Sequence, residues 1–170
     1  MVYKVEKRLV SLTLVLFLAS LFFTLSVYLS DYASGGLVVC FVVVVFILFN
    51  LLVLFSKKIE LSDGSICQKT LYGSKCVDIS EIEDIGIVKL RWRIILILSD
   101  PHKFVFISSL YEDFEGFVAS LKEELSESVE GLIDPVTPKL INKKRKFLSV
   151  VILAMIAFFV GSGVYNILYR

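Results

Sequence analysis

The 170-residue sequence predicts a membrane protein of three transmembrane α-helices that carries one soluble α+β module, a small antiparallel β-barrel or sandwich capped by a C-terminal amphipathic helix. Three observations carry that prediction. Hydrophobic residues make up 56% of the chain and its mean hydropathy is +0.81, whereas soluble domains are about 45–50% apolar, so the excess must be concentrated somewhere. It is concentrated in three charge-free runs, Leu9 to Leu29, Leu37 to Phe55 and Phe147 to Leu168, each close to the ~20 residues that cross a ~30 Å hydrocarbon core. Between the second and third runs the pattern alternates and carries turn signals, then changes to a helical period.

Residues 1–56 read as an N-terminal hairpin of two spans. Lys4, Lys7 and Arg8 precede the first span as they would a signal peptide. A signal core, however, runs only ~7–15 apolar residues, and the following "SDYASGG" is a poor cleavage site. That loop has no Lys or Arg, whereas Lys57 and Lys58 follow the second span and Lys139, Lys143, Lys144, Arg145 and Lys146 lead into the third. The positive-inside rule therefore predicts a multi-pass cell (plasma) membrane protein with its N-terminus and residues 56–146 cytoplasmic and its C-terminus outside. Within the spans, Asn50 is the strongly polar side chain, and Thr13, Ser20 and Thr24 share one face of the first. Ala154, Ala157 and Gly161 line one face of the third with small residues. Asn50 and this small-residue face are candidates for close helix packing, within the chain, in a homo-oligomer or against another membrane protein. A transport path would need intramembrane charges, and the runs have none.

Residues 57–130 form the soluble module. "KKIELS" alternates and ends at Asp63-Gly64, a two-residue hairpin signal. "SICQKTL", a turn at "YGSK", "CVDIS" and "EIEDIGIVKLRW" follow. "RIILILS" reads as a buried strand, "DPHK" as a turn, and "KFVFISS" as an alternating strand. Leu110, Phe114, Phe117, Val118, Leu121 and Leu125 then fall on one helical face. Ser109 with Glu112 makes a capping-box pattern, and Gly131 is placed to end the helix. About six antiparallel strands closed by one helix result. With the turn near Gly73-Ser74, Cys76 faces Leu71, so Cys67 and Cys76 are expected as separate, reduced cytosolic thiols. Their spacing is not that of metal ligands. Residues 131–146 are a basic linker containing prolines ("DPVTPK", "NKKRK"), and 147–170 form the third span.

Chemistry-bearing groups are sparse. His102 is the only histidine and lies in a turn; Glu81, Glu83 and Asp84 form an acidic patch without a partner base. No Gly-rich phosphate loop is present. The sequence thus predicts no enzyme, no cofactor and no metal site. Lys89, Arg91 and Arg93 share one face of an alternating strand, with Val88, Leu90 and Trp92 on the other. With Lys103 they are the candidate lipid- or partner-binding residues, since basic groups near an anionic leaflet contribute ~1 kcal/mol each. Acidic residues outnumber basic ones over 57–130, which argues against nucleic acid as a partner.

The element order, with "IELSDGSI", "LYGSKCVDISEIEDIGIV" and "SSLYEDFEGFVASLKEEL" after two spans, resembles bacterial and archaeal membrane proteins with a pleckstrin-homology-like (PH-like) domain. Val77, Ile79, Ile82 and Ile85 match a "V-x-I-x-x-I-x-x-I" segment, and Phe117 and Leu121 match the helix pattern "F-x-x-x-L". The resemblance covers residues 56–130. It implies a PH-like fold, usually of seven strands, with the seventh missing or supplied by "DIGIV", and a binding role rather than a reaction. The expected function is a membrane-anchored docking or adaptor protein that binds a protein partner or anionic lipid at the inner leaflet. The alternative is an accessory structural subunit of a larger membrane complex, recognised through its transmembrane helices.

Overall fold

The computed structural model describes residues 1–30, 34–62, 64–125 and 136–169. The chain divides into two compact units, one made of Met1–Lys7 and Ser56–Phe147, the other of Arg8–Phe55 and Leu148–Arg170.

The first unit holds two antiparallel sheets and a helix. A four-stranded sheet runs in the order β1 (Val2–Lys4), β2 (Lys58–Ser62), β3 (Ser65–Thr70) and β4 (Gly73–Asp78). A 3-10 turn at Ile79–Glu81 leads into a three-stranded sheet of β5 (Asp84–Lys89), β6 (Ile94–Ser99) and β7 (Phe104–Ser108). The alternation read from the sequence holds: Ile94, Leu96 and Leu98 are buried along β6, and Val105 and Ile107 are buried while Phe104 and Phe106 are exposed on β7. Two polar links tie the sheets at one corner. Gln68 Nε2 donates to the Phe106 carbonyl at 2.8 Å, and the Lys75 ammonium lies 5.1 Å from the centre of the Phe104 ring.

Among the described residues there are seven strands, one more than expected, and the extra one is β1. It lies before the first apolar helix and pairs with β2 after the second, with Tyr3 opposite Ile59 and Lys4 opposite Lys58. Its other side is held by segment 110–112: Glu112 N donates to the Lys4 carbonyl at 2.7 Å, Glu6 N to the Leu110 carbonyl at 2.9 Å, and Val5 bridges Tyr111. Residues 1–7 therefore belong with the sheets rather than with a separate 1–56 hairpin. The segment "DIGIV" is β5, already among the six.

The β2–β3 hairpin forms where expected, with Ser62 paired to Ser65 and Gly64 at φ 80°, a conformation that favours glycine; Asp63 lies outside the described residues. The next hairpin does not. Its loop is Leu71-Tyr72, two residues earlier than the predicted turn, and Gly73 leaves it at φ 135°. Cys76 consequently faces Cys67, not Leu71, and the two are joined as a disulfide. Burial decides the register: the pairing sets Ile66 against Val77, both fully buried, whereas the predicted pairing would set Thr70 there. The slip spans an even number of residues, so each side chain keeps its face.

Helix α3 covers Phe114–Glu124 and buries Phe114, Phe117, Val118 and Leu121, the predicted face. Its cap is Asp113, whose carboxylate accepts from Gly116 N, and not Ser109. Ser109 is instead buried in the sheet, where its Oγ accepts from Ile94 N at 2.9 Å. Gly131 lies outside the described residues.

The second unit consists of helix α1 (Lys7–Leu29), helix α2 (Ser34–Ser56) and the apolar part of helix α4 (Pro138–Leu168), three helices long and apolar enough to cross a membrane. Leu9, Thr13, Leu16, Ser20 and Val27 form a buried stripe along α1. The α4 helix begins within the expected linker: Pro138 occupies the first helical position, where its missing N–H is no loss, and the Thr137 carbonyl accepts from Leu140 and Ile141.

Tyr3 fills the core of the first unit and meets Phe117 edge-on at 5.3 Å between ring centres. Tyr3→Ala is expected to destabilise this unit by about 3 kcal/mol, while Tyr3→Phe retains the wild-type value. Denaturant-dependent proteolysis of the full chain in detergent measures both, and equal stability of all three proteins would remove β1 from the core.

Candidate functional site

Three chain segments that border the apolar helices converge within the first unit: residues 4–7 ahead of α1, residues 57–58 after α2, and residues 141–147 of α4. Backbone pairing brings the first two together, through Lys4 and Lys58. The third is attached by side chains. Ile141, Lys144 and Arg145 fall on one face of α4, at helical spacing, and Ile141 is buried.

Arg145 is the principal tie. Its Nε donates to the Ser109 carbonyl at 3.0 Å and its Nη2 donates to the Tyr111 carbonyl, while Glu6 lies 3.5 Å away as its counter-ion. These carbonyls lie where the chain leaves β7 and has no further strand to accept from, so the guanidinium fork satisfies otherwise unpaired acceptors. Lys144 donates its Nζ to the Leu90 carbonyl. The basic run "NKKRK" is thus divided: Lys144 and Arg145 hold the unit together, whereas Lys143 and Lys146 are exposed.

The predicted strand "VKLRWR" is a strand only as far as Lys89. Lys89 pairs with Ile94, Leu90 N donates to the Arg93 carbonyl at 2.9 Å, and Arg91-Trp92 form the hairpin tip. Lys89, Arg91 and Arg93 therefore do not form one flat basic face. Lys89, Arg91 and Trp92 are exposed, and the Arg91 guanidinium stacks 5.2 Å from the Phe147 ring. Arg93 is half-buried, and its Nε is buried without a hydrogen-bond partner. Lys103 is not part of this group. It sits in the β6–β7 turn at the other end of β6, where Asp100 Oδ1 accepts from the backbone N–H of His102 and Lys103.

Lys57 is the residue that sequence reasoning used only as a topology signal. Burial, and secondarily the positive charge of Arg93, hold its ammonium below the ordinary lysine value. Tyr111, beside the Arg145 tie, has its phenol raised by burial, with the Gln68 side chain acting in the opposite sense. Among the described residues no group of three or more His, Cys, Asp or Glu side chains is placed to hold a metal ion.

The packing candidates of the apolar helices lie on exposed surfaces of the chain. Asn50 is exposed and donates to its own helix, to the Phe46 carbonyl at 2.8 Å. Ala154, Ala157 and Gly161 are exposed, and nothing lies within 4 Å of a Cβ built on Gly161. The tight intrachain contact is made by Gly163, where an added Cβ would lie 2.6 Å from the Phe22 ring. Asn166, unremarked in the sequence, donates to Ser26 Oγ at 3.4 Å and accepts from Ser30 Oγ at 3.3 Å through its carbonyl. A groove of about 530 Å³ lies among Phe23, Gly36, Cys40, Gly161, Ser162 and Asn166.

No family model, no curated protein and no solved structure matches the chain.

Loss of the Arg145 fork leaves two carbonyls unpaired and Glu6 without its counter-ion. Arg145→Ala is expected to cost about 2 kcal/mol, and Arg145→Lys to recover little of it, because an ammonium cannot span both acceptors. Lys143→Ala, on the exposed side of the same turn, should change stability by less than about 0.5 kcal/mol. Hydrogen exchange of β1 and β7 amides reads the difference directly; equal protection in Arg145→Ala and Lys143→Ala would refute the tie.

Proposed function

We propose that this chain is a membrane-anchored docking protein, with a PH-like module held at the cytoplasmic face of the cell membrane and its β5–β6 tip in contact with anionic lipid headgroups. One observation carries this reading. The tip, with Arg91 and the half-exposed Trp92, is pinned through Lys144 and Phe147 to the point where α4 turns from basic to apolar. In a chain whose α4 crosses the bilayer that point lies at headgroup depth, where Trp and basic side chains are most favourable. The PH-like assignment is supported by the four-plus-three strand arrangement followed by a helix. The cytoplasmic assignment is supported by the Lys/Arg distribution.

Trp92 is the only tryptophan, so its emission reports the tip without labelling. In bilayers containing anionic lipid, the full chain should show Trp92 quenched by lipids brominated near the headgroup and shielded from aqueous iodide. Emission quenched by iodide alone would reject headgroup contact. Such a result, together with a protein that co-purifies in stoichiometric amount, would favour a second reading: an accessory subunit that docks through its helices. The exposed Ala154, Ala157 and Gly161 face and the neighbouring groove support that reading, since small residues allow close helix approach.

The cysteine pair tests the orientation. Cys67 and Cys76 have Cα atoms 4.0 Å apart, near the spacing of a non-hydrogen-bonded antiparallel pair. Register alone keeps the sulfurs adjacent, and the compartment sets whether they are oxidised. In a cytoplasmic module the reducing compartment should keep the disulfide open, so both thiols should be alkylated when acid-quenched cells are denatured and brought to neutral pH with a thiol reagent, and both should be lost together after mild oxidation of the purified protein. A disulfide already complete at lysis would place the module on the outer side.

A further inference from the structure

We propose that Lys57 and Arg93 form a binding site for the phosphate of an anionic lipid headgroup, a site distinct from the exposed hairpin tip and recessed behind it. The inference rests on the reading of this unit as lipid-facing and names the group it would recognise.

The backbone sets Lys57 and Arg93 on either side of two intervening segments. Lys57 stands one residue outside β2, beyond the Lys4–Lys58 pair, and therefore next to the level of Val5. Val5 bridges Tyr111, and Glu6 N donates to Leu110 O. On the far side of that segment, Ser109 is tied to Ile94 by two hydrogen bonds, at 2.8 and 2.9 Å. Arg93 stands one residue outside β6, beyond that tie. The charge of Arg93 is felt at Lys57.

The corner lacks a compensating acid. Among the described residues neither Lys57 nor Arg93 makes a salt bridge, and the Arg93 Nε is buried with no acceptor. The nearby carboxylates are committed: Glu6 to Arg145 and Glu112 to Lys7. Lys144 adds a third positive charge that a carbonyl does not neutralise. Two half-buried cations that repel each other, one with an idle N–H, oppose folding unless an anion joins them. A phosphate oxyanion supplies acceptors for both the guanidinium and the ammonium, in short charge-assisted hydrogen bonds. The source follows from position. Lys57 is the residue after the last of α2, and Arg93 closes the hairpin pinned to Lys144 and Phe147. Lys57 thus lies where apolar helix gives way to polar chain, and the Arg93 hairpin is held to the corresponding point of α4, which is where a bilayer presents its phosphates.

The test uses the full chain in neutral detergent, titrated with phosphatidylglycerol, phosphatidylcholine or inorganic phosphate, with bound lipid read by native mass spectrometry and thermal stability read in parallel. Wild type should retain phosphatidylglycerol over phosphatidylcholine and be stabilised by it. Lys57→Met and Arg93→Gln should each weaken that retention about fivefold, and the pair roughly thirtyfold. Lys69→Gln, which removes a cation paired with Glu60 on the outer face of the sheet, should leave retention unchanged. Without lipid, Lys57→Met should melt no lower than wild type, because it relieves repulsion; a lower melting temperature would assign Lys57 a structural role and overturn the site. Stabilisation by inorganic phosphate but not by phosphatidylglycerol would overturn the lipid source. Selective retention that survives both substitutions would overturn the site while leaving the lipid-facing reading intact, whereas a wild type without any selectivity would overturn that reading and the site with it.

Discussion

The first unit depends on one pairing, between a three-residue strand ahead of the first apolar helix and the strand that follows the second. β1 is too short to persist alone, and its backbone is satisfied on both sides, by β2 and by segment 110–112. Without it β2 becomes an open edge, with N–H and C=O groups free to recruit another chain. The same three residues deliver Tyr3 to the core against Phe117, so the sheet and the α3 helix lose a shared contact if β1 is absent. A pairing this distant in sequence closes a long loop. That loop is two helices, whose internal hydrogen bonds already order the intervening chain and so reduce the entropy of closure.

Arginine chemistry does for the third segment what strand pairing does for the first two. Ser109 and Tyr111 lie beyond β7, and their carbonyls face no strand amide among the described residues. Arg145 reaches both from α4 and keeps Glu6 as its counter-ion. The basic residues before the third apolar stretch therefore have two duties, and the helix sorts them by face. The inward pair binds backbone, and the outward residues Lys143 and Lys146 are exposed. With Arg145 and Lys144 so engaged, Lys57 and Arg93 are cations that make no salt bridge among the described residues.

Much of the architecture was legible because it rests on local periodicity. The burial of Leu96 and Val105, the β2–β3 hairpin and the buried face of α3 all follow from residues a few positions apart. What was missed rests on distance or on competition between local signals. "VYK" is too short for a period to register, and its lysine reads as a topology anchor. "KLRWRI" continues an alternating pattern through a tip that has no Gly, Asn or Asp to announce it, so three basic residues appeared to share a face that the hairpin divides. Ser109 and Glu112 satisfy the capping-box spacing, yet Ser109 is drawn into the sheet by Ile94, and Asp113 caps the helix. The β3–β4 register followed the burial of Ile66 against Val77 rather than the glycine nearest the turn. The Lys57–Arg93 corner joins residues 36 positions apart through two intervening segments, and no spacing rule reaches that far.

The position of β1 makes the soluble unit a check on its own manufacture. During synthesis Val2–Lys4 is made before both apolar helices and cannot pair with β2 until Lys58–Ser62 has followed them. On the proposed membrane reading, that partner reaches the same side only if the chain crosses twice and returns. A chain that inserted one helix and stranded the other would hold β1 and β2 on opposite sides of the bilayer, with an open sheet, an unfilled Tyr3 position and Glu6 unavailable to Arg145. Such a product exposes the features that quality-control proteases recognise, so a fault in membrane insertion becomes a fault in folding, visible from the soluble side.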